Sequence, residues 1–267
     1  MRLSGIFVYP IKACGGIALD SAAVVERGLA DDRRYMLVDR AGQFITQRSV
    51  ARLCLVRPRF GDATGSFELT APGRRPLELP RELSGSGLSS VPYQVWGSSG
   101  AALHHPQGSR WFSEFLNDEV SLVYMPDAER RPVNPERARP GDIVSFADAY
   151  PMLLISEASL EELNRRLDEP LEMRRFRPNL VISGCAPHAE DGFARLQIGA
   201  VAFRGVKRCD RCVVTTIDPD TGEQGKEPLR TLAHYRKEDG KVWFGMNLIH
   251  DGSGRLHVGD AVSVYGQ

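Results

Sequence analysis

The chain opens on short stretches in which β-branched and aromatic residues alternate with polar ones, namely GIFVYPIK, SAAVVERG, RRYMLVDR and FITQRS, each near a Gly, Asp or Ser. Period-two alternation with turn residues between the runs predicts strands, and four within about sixty residues predict a curled antiparallel sheet. From Arg59 to Ser90 the sequence is rich in Gly, Pro and Arg, with FELTA and LELP as strands among turn clusters such as SGSGLSS. That composition predicts a loop-rich, exposed section. SRWFSEFLN then predicts a short helix, capped by Ser109, that buries Trp111, Phe112 and Phe115. Residues 127–141, DAERRPVNPERARPG, combine charge with three prolines and read as a boundary or a mobile flap that forms no packed element.

Further along, DAYPMLLISEASLEELNRRL passes from a buried apolar run into a helix. Ser156 or Ser159 is its cap, and Leu160, Leu163 and Leu167 recur at helical spacing. LVIS, FARLQIG, AVAFRGV and VVTTIDP return to strand character, Pro228 opens a second helix through LRTLAHYR, and RLHVGDAVSVYG reads as a hairpin-like pair around a Gly-Asp turn. Strands and helices do not alternate regularly, so a parallel doubly wound sheet is disfavoured. The expected fold class is α+β, β-rich, with one or two barrel-like sheets and a few short helices.

Composition narrows the function classes. Thirty-four Lys and Arg balance 34 Asp and Glu, so the chain has no overall basic excess for duplex nucleic acid or an anionic membrane. No apolar run approaches the roughly 18 residues of a membrane span, and MRLSGIFVYP lacks the pattern of a secretory signal, which makes the cytoplasm the expected address. Five cysteines are odd in number and sparse, so a special one is expected to be a ligand or a reactant rather than half of a disulfide.

The strongest local motif is VKRCDRCVVTTIDPDTG, where Cys209 and Cys212 stand among Lys207, Arg208 and Arg211. Nearby cations favour the thiolate, the form that acts as nucleophile or metal ligand. Three other readings stand beside this one. The pair can be two small buried hydrophobes. It can belong to a structural zinc site completed by Cys185 and His188, whose C-x-x-H lies about twenty residues upstream. A thioredoxin-like redox pair is weaker, for want of a βαβ frame. RRFRPN is the second motif: Pro178 disfavours helix at Arg177, which is expected in an extended or turn conformation at the start of a strand, its guanidinium a fork for phosphate or carboxylate. A solvated basic loop is the bland alternative. Lys12, Arg33 and Arg34 are further cations beside strands, each uninformative alone. The histidines organise no site, and no Walker loop, G-x-G-x-x-G, G-x-S-x-G or H-E-x-x-H is present.

YPIKACGG, DDRRYMLVD, DAYPMLLISEASL, FRPNLVISG, AEDGF, CDRCVVTTIDPDTG, EPLRTL, FGMN and the closing VGD, taken in order over nearly the whole chain, resemble the MOSC family. The likeness is to its branch with an N-terminal β-barrel, which includes the mitochondrial amidoxime-reducing component. The resemblance implies a MOSC N-terminal β-barrel domain over residues 1–120 and a MOSC domain over 121–267. It implies a molybdenum cofactor, Mo-molybdopterin, with Cys212 as the protein's sulfur ligand to the metal and Cys209 in support. It also assigns the cofactor's phosphate and pterin edge to Lys12, Arg34, Arg177, Asn179, Asp210 and Arg211, with Ser156 touching the cofactor. Asp148 falls where the family places an acidic group near the metal, a candidate for proton transfer. Ala13 and Asp210 depart from relatives that carry Ser at these positions, which changes the hydrogen bonds to the phosphate.

The implied activity is reduction of small N-hydroxylated substrates, such as amidoximes, hydroxylamines or N-hydroxylated bases. Electrons would come from a separate donor protein of ferredoxin, flavodoxin or cytochrome type, because no ferredoxin-like cysteine set follows the MOSC end. The alternative is a sulfur-carrier or cofactor-binding protein that acts through a cysteine persulfide.

Overall fold

The structure is a computed structural model and describes residues 1–61 and 65–265. It is β-rich, with three α-helices among the described residues: α1 (Pro106–Leu116), α2 (Glu157–Asn164) and α3 (Leu229–Tyr235). The largest sheet runs, in spatial order, through Val262–Tyr265, Arg195–Ile198, Val201–Asp210, Lys241–His250, Met152–Ser156, Leu180–Ser183, Arg2–Val8 and Ile17–Leu19, with Lys237–Glu238 beside Lys241–His250. Among the described residues of this sheet only the pairing of Met152–Ser156 with Leu180–Ser183 is parallel, and α2 lies in the connection between these two strands, as a parallel crossover requires. The sheet curls until its ends meet: Leu3 donates its N–H to the Asp260 carbonyl at 2.9 Å, and Val262 donates to Met1 at 3.0 Å. Closure of this kind removes exposed edges.

The first strands therefore belong to a sheet made mostly from the second half of the sequence. Arg2–Val8 pairs with Leu180–Ser183, and Ser21–Val25 pairs with Gly254–His257. Leu3, Ile6, Val8, Ala22 and Val24 share one core with Leu180, Phe203, Leu248 and Val262. A second, more aromatic core joins Ile11, Tyr35, Phe67, Leu77, Trp111, Phe112 and Tyr124. It lies among α1, the four-stranded sheet of Tyr35–Val38, Ser121–Tyr124, Ser98–His104 and Ser90–Val95, and the three-stranded sheet of Arg57–Phe60, Ser66–Thr70 and Leu77–Pro80. The Gly- and Pro-rich section thus contributes Phe67, Leu69, Leu77 and Leu79 to a core rather than only loops. Alternation at FELT and LELP, with buried and partly exposed positions taking turns, is the reason.

Other local expectations change. α1 buries Trp111, Phe112 and Phe115 as expected, but its cap is His105, whose Nδ1 accepts the Gly108 N–H at 3.0 Å, with Pro106 opening the first turn. Ser109 sits inside the helix. Ser156 caps α2, accepting from the Ser159 N–H at 3.1 Å. FITQRS is not a strand: after a bridge at Phe44 the chain turns at Thr46, whose carbonyl accepts the N–H groups of Ser49 and Val50. Val213–Thr216 is a 3-10 turn, not a strand. RLHVGDAVSVYG is not a hairpin, because Gly254–His257 and Val262–Tyr265 pair with different partners in different sheets. Segment 127–141 is pinned rather than loose. Arg131 and Val133 are buried, and Arg131 donates to the carbonyls of Ser145, Ala147 and Asp148.

Candidate functional site

A cavity of about 800 Å³ opens where the two cores adjoin. One wall comes from the end of the long strand Val201–Asp210 and the turn behind it: Lys207, Arg208, Cys209, Asp210, Arg211 and Cys212. Beside it stand Arg177 and Asn179, at the start of Leu180–Ser183. The opposite wall comes from turns of the first hundred residues, Lys12–Ala13, Arg33, Thr46–Arg48 and Trp96–Ser98. Asp148 and the pinned segment around Val133 close the rim, whereas no described residue of 61–90 lines the cavity.

Backbone strain concentrates here. Ala13, Arg33, Trp96 and Arg177 all line the cavity with positive φ, between 49° and 70°. Non-glycine residues in this region cost roughly 1–3 kcal/mol each and cluster at functional sites. Of the extended or turn conformation expected before Pro178, Arg177 takes the turn: it caps the 3-10 turn Met173–Phe176 in the left-handed region. The left-handed cap sends its guanidinium back across the chain to the Cys14 carbonyl, 2.5 Å away, and over the Tyr9 ring at 4.3 Å. Arg33 stacks on the same ring at 4.2 Å and binds Asp32 and the Asn179 amide oxygen at 2.9 Å. Asn179, almost fully buried, is spent on structure: it also accepts the Leu153 N–H and donates to the Phe7 carbonyl.

Lys12 and Asp148 form an ion pair at the rim. Burial strips water from the ammonium and lowers Lys12 to about 8, although Asp148 pulls the other way. Burial works against the charge on Asp148, but Lys12, Arg48 and the Trp96 indole N–H outweigh it and hold the carboxyl well below the usual range. The asymmetry follows from the partners: Asp148 has Lys12, Arg48 and the Trp96 N–H to favour its charge, whereas Lys12 has Asp148 on one side and the like charges of Arg131 and Arg33 on the other. Arg48 reaches across the cavity, with one nitrogen 3.2 Å from Cys212 Sγ and 3.4 Å from Asp148 Oδ2.

The two motif cysteines differ. Cys212 meets Arg48 at the cavity, whereas Cys209 takes the Arg211 guanidinium at 3.1 Å and packs against the Phe176 and Phe244 cluster. The reading of both as plain buried hydrophobes fails, because both line the cavity and are partly exposed. Cys14 is fully buried, its thiol pushed up to about 12 by burial. Among the described residues no three His, Cys, Asp or Glu side chains are placed to hold a metal ion, so the zinc set with Cys185 and His188 is not assembled. His188 packs on Tyr235 and Phe244 instead.

Of the residues expected at the site, Lys12, Asp148, Arg177, Asn179, Asp210, Arg211 and Cys212 line the cavity, and Arg34 and Ser156 do not. Arg34 is held away by the Met125 carbonyl and by Asp127 at 2.8 Å, because the chain leaves its left-handed residue Arg33 and enters a strand in which successive side chains face opposite sides. Arg33 takes the place at the cavity. Ser156 is fully buried and engaged with Ser159 and Glu190. Asp210 is exposed and does not turn to its basic neighbours: Arg208 pairs with Glu238 at 2.6 Å and Arg211 donates to the Phe176 carbonyl at 2.7 Å. Arg48 and Trp96 carried no sequence signal, since both act from isolated turns.

Known proteins give this arrangement a family. The model of the MOSC N-terminal beta barrel domain matches residues 1–119 and that of the MOSC domain matches residues 141–263. A human protein named mitochondrial amidoxime-reducing component 1 is 33% identical over 98% of this chain and 82% of its own length. The chain belongs to the MOSC-domain family. A rat MOSC-family relative named mitochondrial amidoxime reducing component 2 is 35% identical over 97% of this chain and 82% of its own. A rice relative named molybdenum cofactor sulfurase is 33% identical over 94% of this chain but over 33% of its own length. Among the described residues of this MOSC-family chain, no helix is long and apolar enough to cross a membrane.

The cavity of this MOSC-family protein has the donors that a pyranopterin phosphate with a thiophilic metal requires. Cys212, partly exposed, stands beside the Arg48 guanidinium, and two buried guanidinium nitrogens of cavity-lining residues, Arg131 Nε and Arg211 Nε, have no hydrogen-bond partner among the described residues.

Proposed function

We propose that this protein is a molybdenum-cofactor-dependent oxidoreductase that reduces N-hydroxylated substrates with electrons from a separate donor protein, working in the cytoplasm. The observation that carries the reading is the meeting of Cys212 with Lys12, Arg33, Arg48, Arg177 and Arg211 around one cavity of suitable size. The names of two relatives, amidoxime-reducing components covered over most of their length, support it.

In this reading residues 121–267 supply the metal ligand Cys212 and the phosphate donors Arg177 and Arg211, while residues 1–120 supply Lys12, Arg33 and the roof. Arg33 takes the anion-binding part that the sequence had given to Arg34. When bound, the molybdenum cofactor supplies the two-electron chemistry that removes oxygen from an N–O bond, and the chain supplies position and protons. Arg48, between Cys212 Sγ and Asp148, sets a fixed positive charge beside the thiol, where it would stabilise negative charge developing on a bound substrate. Lys12, lowered to about 8, is the group poised to give a proton near neutral pH, and Asp148 stays a carboxylate that orients it. Asp148 thus serves proton transfer by holding Lys12 rather than by donating.

The test is elemental analysis of protein made in a cofactor-competent host, combined with reduction of benzamidoxime by an artificial electron donor. About one Mo per chain with turnover is the expected result. A cyanide-labile sulfur with no Mo would replace this reading with a persulfide carrier.

A further inference from the structure

Trp96 is exposed in an unusual place. Five large apolar side chains are exposed among the described residues, Met1, Val25, Trp96, Val258 and Tyr265, and of these only Trp96 lines the cavity. It stands at the tip of the hairpin between Ser90–Val95 and Ser98–His104, with φ 52°, and its side chain remains 46% exposed. A bulky residue in the left-handed region is a costly way to place an apolar ring where it buries little. The ring is nonetheless fixed on three counts: its Nε1 donates to Asp148 Oδ1 at 3.3 Å, Phe44 tilts against it at 5.1 Å, and the Arg48 guanidinium lies over it at 4.9 Å. Gly97 and Ser98, the next two residues of the chain, also line the cavity and carry little or no side chain. Arg48 also contacts Cys212 Sγ, so a single guanidinium spans the gap between the indole and the thiol.

We propose that Trp96 is a specificity-determining residue that selects planar, conjugated N-hydroxylated substrates, aryl amidoximes and hydroxylaminopurine-like bases, by stacking their ring on the indole while the N-hydroxyl group points toward Cys212. The inference rests on the reductase reading above. Offset stacking and cation contacts favour a flat π-system at this ring, whereas an aliphatic hydroxylamine has no face to offer. The ring holds the substrate but touches no reacting bond, so the part of its effect that distinguishes one substrate from another falls on KM.

The experiment compares Mo-loaded wild type, Trp96→Ala and Trp96→Phe with benzamidoxime and with an aliphatic hydroxylamine such as N-hydroxycyclohexylamine. Trp96→Ala raises the KM for benzamidoxime relative to that for the aliphatic hydroxylamine about tenfold, any loss of kcat through Asp148 and Arg48 being shared by both substrates, and Trp96→Phe restores most of the KM ratio. Calorimetric Kd values for benzamidoxime on oxidised holoprotein without electron donor follow the same order. Equal effects on both substrates, or a change confined to kcat, would overturn the stacking role while the reductase reading stands. Stacking seen in the Kd values without turnover of any N-hydroxylated compound would instead remove the reductase reading, and unchanged Kd values would remove the role of Trp96.

Discussion

One wall of the cavity is a strand end and the turn that follows it, and the other is a set of separate turns brought in from the first hundred residues. Arg208 to Cys212 are consecutive, carried out of the ladder formed by Val201–Asp210 with Lys241–His250, so their spacing along the chain is close to their spacing in space. Lys12, Arg33, Arg48 and Trp96 are dispersed, and each faces the cavity because a turn or a left-handed residue aims it there. The first wall carries a readable motif. The second carries charge and shape without one.

The largest effect tests whether the consecutive wall is as asymmetric as it looks. Cys212→Ser abolishes activity and lowers the Mo content of purified protein while leaving the thermal unfolding midpoint nearly unchanged, since Cys212 is partly exposed and outside the main cores. Cys209→Ser is milder in activity. Identical behaviour of the two variants in metal content and turnover breaks the ligand assignment.

Next comes the contrast between two arginines chosen by the same resemblance. Arg177→Ala weakens cofactor retention by about 1.5–3 kcal/mol, the range for a charge-assisted hydrogen bond. Arg34→Ala, at a residue committed to Met125 and Asp127, leaves retention unchanged. The dissociation of cofactor from each variant, followed by the Mo left after gel filtration, separates the two. Equal losses would restore Arg34 to the site.

The smallest effect lies in pH and tests the dispersed wall. Lys12 is charged below about 8 and neutral above it, whereas in the unfolded chain it keeps its ordinary value of 10.5. Between these values the unfolded state binds more protons, so the Lys12 contribution makes the folded state more stable as pH rises. Turnover moves the other way, falling as pH passes about 8 and the proton donor is lost. Asp148 has the opposite linkage: its folded value is depressed, so its contribution is present above the ordinary carboxylate value of 3.8 and is lost as pH falls toward the folded value. A kcat profile paired with a denaturant midpoint series across pH 6–10 checks this, and parallel slopes for the two quantities would count against Lys12. The Lys12→Met variant flattens the alkaline limb of the rate profile.

Much of the architecture was legible because alternation and helical spacing are local properties. The strands around YMLV, LVIS and VAFRGV, the helix burying Trp111, Phe112 and Phe115, and the cap at Ser156 needed no tertiary information. Failures came where neighbours competed with local preference. FITQRS has strand composition, but the chain turns at Thr46, and this turn is what delivers Arg48 to the thiol. The terminal segment alternates like a hairpin, but the closing barrel gives each half a different partner.

By itself the sequence determined that the chain is β-rich, which family it joins, and that a pair of cysteines among cations is its strongest local motif, because each of these lies in residues adjacent along the chain. Only the tertiary structure decided that Arg33 rather than Arg34 faces the cavity, that Ser156 is buried away from it, and that Arg48 and Trp96 roof it. These outcomes depend on left-handed backbone at single residues and on contacts between positions more than a hundred apart, such as Arg48 with Cys212, which no local pattern encodes.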